Sequence, residues 1–170
     1  RSFAVVPDPA SRLRNPDTFF AIDSGQSWPG RPGPANPVYP GDAYELLSEL
    51  IRRGGIEIVR ERMSWADCEP EPGKYDWKQY GLNAKLLAER GIRASGMYHN
   101  APRWAKTNTT NLPGDLVAVY RYAKEVAGAF RGTMTDWEFW NEQDIGFAPE
   151  SAWDYASALK AAYLGYKAAD

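Results

Sequence analysis

The run Trp137-Glu138-Phe139-Trp140-Asn141-Glu142 sets a carboxylate beside an amide, just after two indoles. Those groups suit proton transfer to a sugar oxygen, with Glu142 as general acid and base and Asn141 and Trp140 beside it. The run is rich in strand-forming residues and stops on Asn-Glu. It therefore reads as a buried strand with Glu142 at its carboxyl end. Strict alternation puts Glu138, Trp140 and Glu142 on one face and Phe139 and Asn141 on the other. For Asn141 and Glu142 to serve one ligand, the strand must lose its regularity there, and an irregularity is expected. An Asn-Glu pair alone is a weak signal, equally at home on a helix flank. The strand before it and its tryptophans give it weight.

Other candidates sit at the ends of other strands. Arg60 ends Ile56-Glu57-Ile58-Val59-Arg60 and shares a face with Ile56 and Ile58. If those isoleucines point inward, Arg60 does too, and its guanidinium would hold a carboxylate ionised. The plainer alternative is a surface ion pair with Glu61 or Asp67. Arg62 reads as a loop residue. His99 and Asn100 end the next strand; His99 is either a ligand hydrogen-bonding group or a satisfied structural histidine. Trp65, Trp104 and Trp28 fall in loops expected on the same side, as stacking platforms for a sugar ring or as packing anchors. Trp77 and Trp153 fall on helices and read as packing.

The elements that must position these residues alternate regularly. Phe19-Phe20-Ala21-Ile22 reads as a strand, and Pro29 to Pro40 as an irregular proline-rich loop. Asp42 is the expected cap of a helix with Ala43, Leu46, Leu47, Leu50 and Ile51 on one stripe, ended by Gly54-Gly55. A strand follows over Ile56–Arg60. Asp76 is expected to cap a helix with Tyr80, Ala84, Leu87 and Ala88 on its inner face, stopped by Gly91. Ile92–Met97 is the next strand. Asp115 opens a helix with Leu116, Val119, Tyr120, Ala123, Ala127 and Phe130 aligned, stopped by Gly132. Met134–Trp140 is the last strand, and a helix from about Glu150 carries Ala152, Tyr155, Ala156, Leu159, Tyr163 and Tyr166 at helical spacing. Residues 1–17, with a short strand Phe3-Ala4-Val5-Val6, read as a linker or the tail of a preceding domain. Residues 18–170 read as an α/β unit.

Four strand–helix repeats imply a parallel sheet with right-handed crossovers. An open doubly wound sheet and half of a (β/α)8 TIM barrel both satisfy that pattern. No glycine-rich phosphate loop follows the first strand, which weighs against the open sheet. Long aromatic strand-to-helix loops and short glycine-rich helix-to-strand turns fit a barrel with its chemistry at the carboxyl ends of the strands. The favoured fold is therefore half of a (β/α)8 barrel, four βα units of it.

Bulk properties narrow the partners. The 170 residues are 44% hydrophobic and 25% charged with a net charge of -2, and no basic stripe invites nucleic acid. No apolar run approaches the roughly 20 residues that span a bilayer, so no membrane is expected. One His and one Cys (Cys68) leave too few ligands for a protein-built zinc site, and no metal or cofactor is expected. Aromatic residues make up 14%, including seven Trp, a composition that suits flat amphipathic ligands such as sugar rings.

Two motifs carry a resemblance. Glu69-Pro70-Glu71-Pro72-Gly73-Lys74-Tyr75-Asp76-Trp77 after the second strand and Trp140-Asn141-Glu142 after the fourth resemble the large clan of retaining glycoside hydrolases with a (β/α)8 barrel and two catalytic glutamates. The run from Val59-Arg60 to Trp65, the loop Ala101-Pro102-Arg103-Trp104-Ala105 and the helix Lys160-Ala161-Ala162-Tyr163 are most similar to its family 39-like and family 5 cellulase-like members. The resemblance spans about Phe19 to Asp170. It implies that Glu142 is the acid/base, that Asn141 binds the sugar 2-hydroxyl, and that Arg60 supports the nucleophile. The clan carries that nucleophile on strand seven, which this chain does not contain, so no residue here receives the role.

The implied function is retaining hydrolysis of O-glycosyl bonds in a β-linked oligo- or polysaccharide. The implied partners are a carbohydrate substrate and the remainder of the barrel, from the same gene product or a second chain, with no activity from four units alone. An extracytoplasmic location is the corresponding expectation. Many clan members continue Asn-Glu-Pro, whereas this chain has Asn141-Glu142-Gln143-Asp144, which leaves the substrate open. The alternative from another class is a non-catalytic carbohydrate-binding or structural half-barrel.

Overall fold

The computed structural model describes residues 5, 8–11, 13, 17, 20–27 and 43–169. Four strands form one sheet in the order β1-β2-β3-β4: β1 (Ile22–Asp23), β2 (Ile58–Ser64), β3 (Arg93–His99) and β4 (Met134–Phe139). Every pairing is parallel. The helices are α1 (Ala43–Gly54), α2 (Trp65–Cys68), α3 (Lys78–Glu89), α4 (Leu116–Ala129) and α5 (Ala152–Ala169), with short 3-10 turns at Pro9–Ser11 and Arg103–Ala105. A parallel sheet in sequential strand order, with a helix returning after each strand, matches part of a (β/α)8 barrel rather than an open sheet that reverses its order. Among the described residues no helix is long and apolar enough to cross a membrane. Trp28, Asp42, the loop from Pro29 to Pro40, most of the expected strand at Phe3–Val6 and the first residue of that at Phe19–Ile22 lie outside the described residues.

Local chemistry sets the element ends. Asp115 caps α4 by accepting from the backbone N–H groups of Val117 and Ala118, both at 3.0 Å. Asp76 lies one residue ahead of the α3 N-cap, Trp77, and its carboxylate accepts from Lys78 N at 3.0 Å. Each described helix-to-strand turn passes through a left-handed glycine: Gly55, Gly91 and Gly132 have φ of 76°, 70° and 84°. That geometry costs an L side chain about 1 kcal/mol or more.

Strand boundaries shift from those read in the sequence. β2 runs to Ser64, four residues past Arg60, so Arg60 lies inside the strand and Arg62 is a strand residue rather than a loop residue. Ile58, Arg60 and Arg62 face one side, while Val59, Glu61 and Met63 are buried on the other. β3 likewise continues to His99.

The core lies between the sheet and its helices. Trp65 stacks on Tyr122 (4.5 Å between centroids) and Trp137 on Tyr166 (6.0 Å). Gly96 of β3 leaves room for Trp137, whose ring would lie 2.6 Å from an added Cβ. α5 meets α4 through Ala158, Ala162, Gly165 and Ala169. A Cβ on Gly165 would come within 2.3 Å of the Tyr120 carbonyl oxygen. Small residues win this interface because they let the helix axes approach. The large residues expected on that stripe are displaced to its flanks: Leu159 and Tyr163 are exposed, and Trp153, read as a packing residue, is 83% exposed. On α1, Leu46 and Leu50 are exposed as well, because its helix neighbour, α3, lies on one side.

Candidate active site

The interior face of the sheet is a lattice of charge. Arg60 projects from the middle of β2 opposite the small Ser95 of β3 and crosses β3 to reach β4. Its Nε and Nη2 donate to the two carboxylate oxygens of Glu138, each at 2.7 Å. Its Nη1 donates to Asp23 at the end of β1 (2.9 Å), and Nη2 also donates to Asn141 Oδ1 (3.0 Å). One planar guanidinium thereby ties β1, β2 and β4 together, which a lysine could not do. Arg62, two residues further toward the rim, donates from Nε to both Asp23 oxygens (3.0 and 3.1 Å) and from Nη2 to Asp23 Oδ2. The hydrogen bond from Arg62, aided by the charge of Arg60, holds the Asp23 carboxyl below the usual carboxylate range. Glu138 in turn holds the Arg60 guanidinium more firmly protonated.

The end of β4 breaks as the alternation argument requires. Trp140 and Glu142 are both left-handed, with φ of 71° and 45°, a backbone state that non-glycine residues adopt at a cost of about 1 kcal/mol or more each. Phe139 points into the helical layer, with Tyr98 and Tyr155 against it. Trp140 N still donates to Tyr98 O (3.0 Å), extending the ladder by one bond, and its indole Nε1 donates to Phe147 O (3.0 Å). The reversal swings Asn141 over the interior face. There it is 2% exposed, and its Oδ1 is held by Arg60. With the oxygen committed, the amide is oriented, and its buried Nδ2 donates to nothing among the described residues. Glu142 is exposed at the rim, and its charge helps keep Arg62 protonated.

Beside this break lies a cavity of about 550 Å³ at the carboxyl ends of β2, β3 and β4. His99 lines it, 7% exposed, with its ring edge-on to Phe147 (5.5 Å) and Trp140 (6.4 Å). Burial, reinforced by the positive charges of Arg62 and Arg60, lowers His99 to about 4. The imidazole is therefore neutral near pH 7 and can both donate and accept. Asn100 lines the same cavity, and its Nδ2 donates to Ser64 Oγ (2.9 Å) from a left-handed residue with φ of 59°.

The structure thus gathers Arg60, His99, Asn100, Trp140, Asn141 and Glu142 at one end of the sheet. It separates two tryptophans from them. Trp65 is fully buried, with its Nε1 bonded to Glu69 Oε2 (2.8 Å) and its ring stacked on Tyr122, so it offers no face to a ligand. Trp104 packs edge-on to Trp65 under the Arg121 guanidinium, and its Nε1 donates to Glu69 O (3.3 Å). Both are packing anchors rather than stacking platforms. The reason is local: the loop after α2 folds inward around the buried Glu69 carboxylate, which also accepts from Gly73 N (2.7 Å) and pairs with Arg121 (3.3 Å).

The sequence alone does not single out Asp23, Arg62 and Glu138, which the structure places in the charge lattice. Extending the Ile58/Arg60 alternation by two residues would have found Arg62. Glu138 was placed on the right face but given no role. Asp23 carried no local signal, since its importance lies in two guanidinium groups that are distant in sequence. Among the described residues no group of three or more His, Cys, Asp or Glu side chains could hold a metal ion.

No protein-family profile matches this sequence, and no curated protein matches it. Solved structures do. The chain is similar to a family 39 glycoside hydrolase from the gut symbiont Bacteroides cellulosilyticus (22% identity, TM-score 0.66, 76% of this chain and 27% of that one). It is also similar to an exo-β-1,4-mannosidase from an Opitutaceae bacterium (20% identity, TM-score 0.68, 96% and 33%). A third is endo-glycoceramidase II from Rhodococcus sp. (17% identity, TM-score 0.58, 88% and 45%). The chain spans less than half the length of each. At these identities the likeness shows the fold, a partial (β/α)8 barrel of the kind that glycoside hydrolases use.

Proposed function

We propose that this chain supplies the acid/base half of a retaining glycoside hydrolase that cuts β-linked saccharides. The observation that carries the proposal is the break after β4. It sets the left-handed residues Trp140 and Glu142 on either side of Asn141, whose amide is clamped by Arg60 with its Nδ2 left to donate. A buried, oriented amide donor next to a carboxyl suits a ring hydroxyl beside the bond being cut. Glu142 gives its proton to the glycosidic oxygen while a nucleophilic carboxylate attacks the anomeric carbon, then takes a proton from the water that releases the sugar.

The nucleophile is assigned to the rest of the barrel, about 5 to 5.5 Å from Glu142 in a retaining arrangement. The same completion would cover the open edges of β1 and β4 and the exposed leucines of α1 and α5. The similar structures, a mannosidase and a glycoceramidase among them, favour a glycoside as substrate.

The test uses the full-length protein that carries this chain. Glu142→Gln should slow hydrolysis of alkyl and sugar glycosides about 100-fold or more, and slow aryl glycosides with good leaving groups far less. Wild-type rates on both substrate classes would end the proposal.

A further inference from the structure

Resting on the reaction proposed at Glu142, we propose that Glu138 is a positioning residue for it. Its carboxylate sets the Arg60 guanidinium, which sets the Asn141 amide and aims Nδ2 at a hydroxyl of the sugar being cut.

The register shows how far the pair is drawn out of line. In the ladder Glu138 stands level with Arg62, with Met97 between them. Yet both of its oxygens take Arg60, two residues nearer the amino end of β2. The Arg60 side chain must therefore lean toward the carboxyl ends of the strands. That lean carries Nη2 to Asn141, three residues past Glu138. A regular strand would turn Asn141 away from Glu138. The left-handed Trp140 brings it back, and one nitrogen, Nη2, then serves both residues.

Arg60 lies between two carboxylates. Asp23 draws Nη1 toward β1, while Glu138 draws Nε and Nη2 toward β4. Asp23 is shared with Arg62, whereas among the described residues Glu138 accepts from Arg60 only. Without Glu138, the guanidinium would swing to Asp23 and release Asn141 Oδ1.

Exposure separates this role from a stabilising one. The Glu138 side chain is 47% exposed and that of Arg60 22%, so water screens the pair and it adds little to stability. What a forked, two-point pair does supply is direction. Asn141, by contrast, is buried with Nδ2 unpartnered, a cost to the fold that a ligand hydroxyl would remove. Glu138 thus holds an unsatisfied donor in place for substrate.

The test uses the full-length protein, with p-nitrophenyl β-D-mannopyranoside, p-nitrophenyl β-D-glucopyranoside and the 2-deoxy compound common to both. The 2-deoxy compound lacks the hydroxyl assigned to Asn141. Glu138→Gln should lower kcat about tenfold on the hydroxyl-bearing substrates and change the 2-deoxy rate less than about twofold. In Asn141→Ala, adding Glu138→Gln should cost nothing further. Asp23→Asn should cost less than Glu138→Gln. A crystal structure of the Glu138→Gln protein, which needs no turnover, should show Arg60 drawn to Asp23 and its bond to Asn141 gone. If the glutamine protein does not fold, Glu138→Asp, which keeps the charge but withdraws it by one carbon, makes the same comparison. Three results overturn the inference: equal losses with and without the 2-hydroxyl, additive losses in the double variant, or a variant structure in which Arg60 still holds Asn141. The crystal structure also separates the two proposals. If Glu142→Gln leaves hydrolysis intact while Glu138→Gln frees Asn141, the positioning of the amide stands and the acid/base role falls. If hydrolysis depends on Glu142 but Arg60 keeps Asn141 in the variant, the reverse holds.

Discussion

Four glutamates divide between two regions of this molecule. Glu61 and Glu69 sit in the layer between sheet and helices, and both are fully buried. Glu138 and Glu142 sit on the interior face and its rim, and both are exposed. Glu61 accepts from Ser27 N (3.2 Å), Ser27 Oγ, Asn83 Nδ2 (2.8 Å) and Arg62 N (3.1 Å). Burial raises its carboxyl pKa, while these bonds pull it back down. Both carboxylate oxygens there are engaged, and they hold the loop after β1 and α3 against β2. Glu142 has no such cage, and a carboxyl that must move a proton needs one end free. In the proposed reaction, then, burial does not mark the glutamate that moves the proton; the incomplete set of partners does.

That contrast can be broken by experiment. The largest stability loss should come from Glu61→Ala, which strands the donors of Ser27 and Asn83 and should cost about 3–4 kcal/mol in urea unfolding. Glu142→Gln in the same assay should change stability by less than about 0.5 kcal/mol. Equal losses at the two positions would erase the distinction between the faces.

His99 gives the next effect and shares features of both regions, being buried yet at the rim. Its folded pKa of about 4 lies below the ordinary 6.5, so the unfolded chain binds the extra proton first. The stability it confers is complete above about pH 6.5 and falls as pH drops toward 4, by roughly 3 kcal/mol in all. Unfolding curves of the parent and of His99→Asn should converge over that interval. Parallel curves would show that the imidazole does not titrate there.

The smallest effect belongs to the charge lattice. Asp23→Asn should cost about 0.5–1 kcal/mol, because its partly exposed pairs with Arg60 and Arg62 are screened by solvent. The loss should shrink further in 1 M salt, which thermal melts at two ionic strengths would reveal.

Much of the fold was legible in the sequence. The alternation of apolar runs with capped helices implied a parallel sheet, and Asp115 and the turn glycines marked their own boundaries because a cap or a left-handed residue is a local event. The helix faces were less legible. Periodicity on α5 placed Tyr155 and Tyr166 correctly against the core, but Leu159 and Tyr163 on the same stripe are exposed, and the helix meets α4 through Ala158, Ala162 and Gly165, since closeness of approach rather than hydropathy decides that contact. Trp65 and Trp104 show the same limit at the site. An indole in a loop reads alike whether its ring faces a ligand or, as here, the underside of a buried glutamate.

The sequence by itself determined the order of elements, the pairing of Asn141 with Glu142 at a strand end, and the need for an irregularity there. Those follow from short-range geometry, in which side chains two residues apart share a face. Only the tertiary structure decided that Arg60 would clamp Asn141, that Asp23 and Glu138 would neutralise the arginines, and that a cavity would open beside Trp140. Those contacts join residues 37 to 81 positions apart, and they arise only when parallel strands bring distant segments within hydrogen-bonding reach.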